Sequence, residues 1–255
     1  MATAPPGTIW LVGAGNMGGA MHRGWIASGA ADAITVVDTA HPPPADGWPD
    51  ILVLAVKPQQ LAAAATALAG RAGGPRLLLS VLAGVELATL RTLIPAGSVV
   101  RAMPNLPAAI GQGVTLLCSD AGPAARADAE RLVAPLGLVE WIADEALFDA
   151  ATALSGCGPG FTFRYIDALA DAGVALGLDG AVARRLALAT VAGSAAMASA
   201  SSESPARLAD RVASPGGSTR EGLNVLDEER GLADLLRRTL AASAARNRTL
   251  AAETR

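Results

Sequence analysis

Residues 8–29, TIWLVGAGNMGGAMHRGWIASG, constrain the fold more than any other stretch. They hold a short apolar run at residues 9–12, a glycine turn and a segment with helical periodicity. Gly13, Gly15 and Gly18 stand at GxGxxG spacing, and Met17, Met21 and Trp25 recur every four residues with Ala20 and Gly24 beside them on one face. The pattern predicts strand, tight turn, helix. In such a unit the first glycine makes the turn, the second lets a pyrophosphate approach the backbone, and the third lets the helix pack closely on the strand. Free N–H groups and the helix dipole then face the phosphates. A GxGxxG is a weak signal by itself. Here a second apolar run at residues 33–37 ends in Asp38, twenty residues after Gly18, where an acid can bind ribose hydroxyls. The plainer reading of Asp38 is a polar strand end.

Strand and helix signals go on alternating after that unit. Residues 39–50, TAHPPPADGWPD, carry prolines at 42, 43, 44 and 49 and cannot be helical. Residues 51–56, ILVLAV, form a continuous apolar run, as expected for a parallel strand buried on both faces. A helix over 59–71, a strand over 76–82, a helix over 86–94 and a strand over 98–102 follow. Met103, Pro104, Asn105, Leu106 and Pro107 then stand at a strand end, the edge where ligands bind in such sheets. A strand at 114–118, a helix at 122–136 and a strand at 138–142 complete an α/β domain over 1–144, a Rossmann-like, doubly wound, mostly parallel sheet covered by helices on both faces.

From residue 145 to 255 the pattern is helical, with helices expected over 145–154, 159–178, 180–202, 205–212, 219–226 and 232–253. Two stretches here carry possible chemistry, SGCGPG at 155–160 and SPGGST at 214–219. Two glycines followed by two hydroxyl residues at a helix start can offer backbone N–H groups and hydroxyls to one anion, such as a small carboxylate. The same spacing also suits an ordinary cap made by Ser218 or Thr219. SGCGPG can equally be a break where two helices approach closely.

Composition limits the remaining possibilities. At 255 residues and 51% apolar, the chain can bury a large core in one large or two modest domains. Aromatic residues are only 3%, which favours close helix contacts built on alanine and leucine and makes large oligomeric interfaces plausible. A net charge of -3 gives no reason to expect nucleic acid or a membrane surface as partner. Cys118 and Cys157 are too few and too far apart for a disulfide framework or a metal site, and a reducing cytoplasm fits them. The opening MATAPPGT lacks the basic and apolar regions of a secretory leader. Residues 186–200 are shorter and more polar than the roughly twenty apolar residues a membrane span needs. His22, in the first helix, and His41, in the proline-rich loop, are the only histidines and read as structural, so no histidine base or metal cluster is expected. The chemistry must come largely from a cofactor.

Six stretches, in order, carry a family resemblance: GAGNMG at 13–18, AVKPQ at 55–59, RAMPN at 101–105, DAATALSGCGPG at 149–160, DALADAGVALGL at 167–178 and VASPGGSTREGL at 212–223. Together they resemble pyrroline-5-carboxylate reductase over nearly the whole chain. The resemblance implies a dinucleotide-binding domain at 1–144. It implies an all-helical substrate-binding domain at 145–255 that interleaves with a second copy, giving a homodimer or a higher oligomer built from it. It also implies the last step of proline biosynthesis, reduction of (S)-1-pyrroline-5-carboxylate to L-proline with NAD(P)H.

Carried over by motif, Gly13, Gly15, Asn16, Met17 and Gly18, with Ala55, Val56, Lys57 and Pro58 and with Met103 and Asn105, contact the cofactor. Ser214, Gly216, Gly217, Ser218 and Thr219 hold the substrate carboxylate, and Thr219 sits near the ring nitrogen as the catalytic residue. No metal is implied. The chain departs from the family where an extra helix and strand usually follow the second strand. The twelve residues 39–50 can extend up to about 40 Å, enough to cross the first strand at the cost of a sheet edge. Gly160 and Phe161 replace a usual Ala and Tyr, and Leu106 a usual Thr. The family often prefers NADPH. Here no Arg or Lys follows the second strand, and Asp38 would repel a 2′-phosphate, so NADH is expected to work at least as well. The rival readings are an imine reductase for another cyclic imine and a dinucleotide sensor without catalysis.

Overall fold

The computed structural model describes residues 7–253. Residues 1–6, read above for a leader, lie outside the described residues, as do 254 and 255. The described residues form two compact units, one of residues 7–159 with 242–253 and one of residues 160–241. The first unit's cut at Pro159 follows contacts, whereas residue 144 marks where strands give way to helices.

The first unit carries a seven-stranded sheet in the order β2-β1-β3-β4-β5-β6-β7. Its strands are β1 (Ile9–Val12), β2 (Ile34–Val37), β3 (Ile51–Leu54), β4 (Leu77–Ser80), β5 (Ser98–Met103), β6 (Gly113–Cys118) and β7 (Gly137–Trp141). All neighbours are parallel except β5 and β6, which run antiparallel. The expected shortening is visible. β2 is the sheet edge, and β3 pairs with the other side of β1, with Ile9 opposite both Ile34 and Ile51.

Residues 38–50 therefore cross β1 as an irregular loop, and side chains take over the work of a crossover helix. Trp48 packs on the apolar layer beside β1, Arg71 Nη2 donates to Pro44 O at 3.0 Å, and Asp50 Oδ2 accepts from Thr8 N at 2.8 Å and from Thr8 Oγ1 at 2.9 Å.

The alternating side chains of the inner strands feed two cores, as the apolar run at 51–56 requires. Ile9, Leu11, Ile51, Val53, Leu77 and Leu79 face α1 (Asn16–Ala27) and α4 (Pro123–Val133), where Met21, Trp25 and Leu132 are buried. Trp10, Val12, Leu52, Leu54 and Leu78 face α2 (Leu61–Leu68) and α3 (Leu87–Leu93). Burying each such aliphatic side chain is worth about 2 kcal/mol relative to leaving it in water. The periodicity of α1 is thus the periodicity of a core face, and Trp25 Nε1 locks it by donating to Leu132 O at 2.8 Å. Several expected ends move. The helix expected over 122–136 turns to a 3-10 turn at Ala134–Leu136, where Pro135 has no N–H to give. The helix expected over 145–154 resolves into a 3-10 turn (Glu145–Leu147), the short α5 (Phe148–Ala151) and a π-helical turn (Thr152–Gly156).

The helices that follow are α6 (Gly158–Ala175), α7 (Gly180–Ser199), α8 (Pro205–Val212), α9 (Ser218–Leu226) and α10 (Leu232–Glu253). Asp179 caps α7 by accepting from Ala181 N and Val182 N, and Ser204 caps α8. Within the second unit the core is small: Ala170, Ala183 and Ala187 are buried, with Ile166 against them. Phe163, Leu176, Leu186, Leu188, Val212 and Val225 are exposed instead. No described helix is long and apolar enough to cross a membrane.

Candidate active site

The glycine turn after β1 has the three properties that the spacing demands. Gly13 sits at φ +95°, and a Cβ there would meet Ala55 O at 2.8 Å. Nothing lies within 4 Å of a Cβ at Gly15, so the backbone is open to an approaching group. A Cβ at Gly18 would fall 2.1 Å from Gly13 O, so only glycine lets α1 lie this close to the turn. Gly15 is the N-cap of α1 and no side chain caps that end. An uncapped helix start with an open backbone approach suits a pyrophosphate, and Asn16 and Met17 are the first two helical residues beside it.

Gly13 N donates to Val37 O at 2.9 Å, which sets Asp38 beside this turn at the end of β2. Asp38 Oδ1 accepts from Ala40 N at 2.9 Å and His41 N at 2.8 Å and lies 3.0 Å from His41 Nδ1. These bonds hold its carboxyl below the usual aspartate range, the bond from the His41 backbone most of all. None of them uses Oδ2.

Ala55, Val56, Lys57 and Pro58 follow β3 at the same sheet edge. Ala55 N donates to Val12 O at 2.8 Å, and Lys57 N donates to Gln60 Oε1 at 3.2 Å, opening the 3-10 turn before α2. Met103 ends β5, Asn105 lies just beyond it, and both are buried. Both ends of the Asn105 amide are engaged within the protein: Oδ1 accepts from Val114 N at 2.8 Å and Nδ2 donates to Ser155 O at 2.9 Å. Ser155 lies in the π-helical turn, and a Cβ at Gly156 would meet Met103 Cγ at 3.4 Å. Ser155 and Gly156 of the SGCGPG stretch therefore form a packed turn on the end of β5, while Gly158, Pro159 and Gly160 already open α6, and π-turns of this kind recur at functional sites. Sequence periodicity did not reveal it, because an i to i+5 turn has no side-chain signature of its own. Arg101 braces the same strand from below. It is buried, its Nη1 donates to Glu145 Oε1 at 2.7 Å, its guanidinium lies 4.5 Å from the Phe148 ring centre, and Glu145 Oε1 also accepts from Leu87 N at the start of α3.

In the second unit, Ser214, Pro215, Gly216 and Gly217 form a tight turn into α9, closed by Gly217 N donating to Ser214 O at 3.0 Å. Gly216 takes φ +68°, and a Cβ at Gly217 would lie 2.6 Å from Ser214 Oγ. The capping alternative fails here: the N-cap is Gly217, no side chain caps it, and Ser218 is already helical. Ser218 and Thr219 are exposed in the first turn, and Arg220 binds Asp210 at 2.9 Å to tie α9 to α8. The turn is thus an uncapped helix start bearing two hydroxyls.

An α/β sheet with this glycine turn, this strand-end acid and a helical partner unit defines a dinucleotide-binding protein of the oxidoreductase type. Residues 145–250 match the family described as pyrroline-5-carboxylate reductase dimerisation. The pyrroline-5-carboxylate reductase of Pseudomonas aeruginosa is 36% identical over 95% of this chain and 96% of its own. Among solved structures, a pyrroline-5-carboxylate reductase of Coxiella burnetii superposes with a TM-score of 0.83 at 30% identity, covering 96% of this chain and 98% of that one. The Plasmodium falciparum pyrroline carboxylate reductase with NADP bound gives 0.80 at 25% identity, covering 98% and 100%. The chain belongs to the pyrroline-5-carboxylate reductase family.

Proposed function

We propose that the chain reduces (S)-1-pyrroline-5-carboxylate to L-proline, the last step of proline biosynthesis, with residues 1–144 holding NAD(P)H and residues 145–255 holding the substrate and a second copy of the chain. The observation that carries the substrate assignment is the uncapped start of α9, where Gly216 and Gly217 expose backbone between two hydroxyl-bearing positions, Ser214 and Ser218.

The reduced nicotinamide supplies a hydride. Gly15 would admit the pyrophosphate to the backbone with Gly18 keeping α1 close behind it, and Asn16, Met17, Ala55, Val56, Lys57, Pro58 and Met103 would line the cofactor. Asn105 serves from behind, through Ser155. Ser214, Gly216, Gly217, Ser218 and Thr219 grip the carboxylate, and the Thr219 hydroxyl hydrogen-bonds the ring nitrogen. With that nitrogen protonated, the C=N carbon accepts the hydride, the C=N π pair becomes the nitrogen lone pair, and the amine keeps its proton. No strong base is required, and holding the ring in place supplies much of the acceleration.

For the cofactor, the absence of Lys and Arg from residues 38–50 and the carboxylate of Asp38 support NADH as at least the equal of NADPH. The exposed apolar side chains of α6, α7, α8 and α9 support a homodimer or a higher oligomer built from it. Two unpaired cysteines support the cytoplasm.

The test is nicotinamide oxidation with 1-pyrroline-5-carboxylate and each cofactor, set against the uncarboxylated 1-pyrroline ring. Turnover restricted to the carboxylated ring supports the reading. Equal rates on both rings make the chain an imine reductase of another kind, and no turnover on either leaves a binding protein.

A further inference from the structure

The loop after β2 has no lysine or arginine, yet it holds one side chain that can become a cation. His41 is exposed, with 75% of its side chain in water, and its Nδ1 lies 3.0 Å from Asp38 Oδ1. The contact is built into the backbone: Asp38 N donates to His41 O at 2.9 Å, and Asp38 Oδ1 accepts from the backbone N–H groups of Ala40 and His41. The turn carrying the imidazole is therefore clamped to the acid on three sides. Gly13 N on Val37 O holds that acid beside the pyrophosphate turn.

We propose that His41 determines cofactor specificity by setting the charge presented to the adenosine ribose, so that the enzyme accepts a 2′-phosphate better as the imidazole gains its second proton. This rests on the reading of Asp38 as the ribose acid.

With Nδ1–H donated to Asp38, the added proton enters at Nε2. The pair then changes from one net negative charge to none. Histidine is the side chain that makes this change between about pH 5 and pH 8. Asp38 stays ionised over that whole range, because its hydrogen bonds hold its carboxyl below the ordinary value. Among the described residues the charged group that acts most on Asp38 is His41. Arg71, just after α2, sets a permanent guanidinium charge against the loop through its bonds to the Ala67 and Pro44 carbonyls, so it adds a constant background to the change with pH, and Asp46 shares the loop. A 2′-phosphate carries about -1.5 to -2 charges near neutrality, so it feels the change, whereas the bare hydroxyls of NADH do not.

The experiment measures binding without turnover, by calorimetry with ADP-ribose and with its 2′-phosphate at about pH 6 and about pH 8. In the parent enzyme the affinity of the phosphorylated ligand relative to the other should rise about fivefold toward the lower pH, a surface-charge effect in high dielectric. The 2′-phosphate titrates near the same pH, and His41→Gln isolates that contribution: the rise should shrink at least about twofold. His41→Lys, a fixed cation, should favour the phosphorylated ligand at both pH values. A pH response in H41Q equal to the parent's overturns the proposal. Asp38→Asn separates the two layers. If it leaves the ligand ratio at about pH 8 unchanged, the ribose reading of Asp38 is what has failed. If it raises the ratio while H41Q keeps the parent's response, only the role of His41 has failed.

Discussion

The side chain of Asn105 fastens the end of β5 to the π-helical turn, its Nδ2 donating to Ser155 O at 2.9 Å while its Oδ1 takes the N–H of Val114. Both ends of one buried amide are used, so neither can be lost without leaving a backbone group unpaired. Asn105→Ala should lower stability by about 2–3 kcal/mol, read as a fall in Tm. It should also raise the KM for the dinucleotide, since Met103 and Gly156 lose the brace that holds them together. Asn105→Asp keeps an acceptor for Val114 and loses the donor, so its Tm should also fall. An unchanged Tm in both variants would show that the amide holds nothing.

The glycines of the turn after β1 should separate when each is replaced by alanine. A Cβ at Gly15 meets nothing within 4 Å, while one at Gly18 meets Gly13 O at 2.1 Å. Gly15→Ala should fold with a Tm near the parent's and raise the KM for NADH by about tenfold, because the methyl would stand in the proposed path of the pyrophosphate. Gly18→Ala should lose both stability and cofactor binding, since α1 must move off the turn. Equal effects on folding and binding in both variants would contradict this division.

That division was legible in the sequence because GxGxxG reports backbone geometry, and the alternation of apolar runs gave the strands nearly to the residue. The loop at 39–50 was legible too, since four prolines leave few conformations. What escaped were features set by distant partners. The clamp of His41 on Asp38 depends on a turn whose residues carry no fixed signature. The engagement of Asn105 depends on Ser155, 50 residues away. Ser218 was readable as a cap and is instead helical, because Gly217 already supplies the extended backbone at the N-cap. The division of the helical stretch at 145–156 into three kinds of turn was hidden, as all three share the same residue preferences.

Asp50 offers a test of the loop's lower anchor. Thr8 N and Thr8 Oγ1 both donate to its Oδ2, and these bonds hold its carboxyl below the ordinary value. A folded-state pKa that is depressed adds stability above the unfolded value, about 3.9, and that stability is lost as pH falls through the folded value. Asp50→Asn should therefore lower Tm at about pH 7, and the gap to the parent should narrow progressively as pH falls below the unfolded value. A gap that persists in acid would mean that shape, and not charge, makes the anchor.

Thr219 is the sharpest test of the chemistry. It lies in the first turn of α9, after an N-cap that no side chain occupies, and it is exposed. Its hydroxyl is therefore not engaged as the cap of its own helix. If that hydroxyl donates to the lone pair that forms on the ring nitrogen as hydride arrives, Thr219→Ala removes an interaction made only as the reaction proceeds, and kcat should fall by about 10². The KM for NADH should stay within about twofold, because the proposed dinucleotide cradle lies in residues 1–144. Thr219→Ser keeps the hydroxyl and should recover most of the rate, which a packing role for the methyl group would not allow. A turnover number unchanged in the alanine variant would remove Thr219 from the reaction and leave the loop as a carboxylate cradle alone.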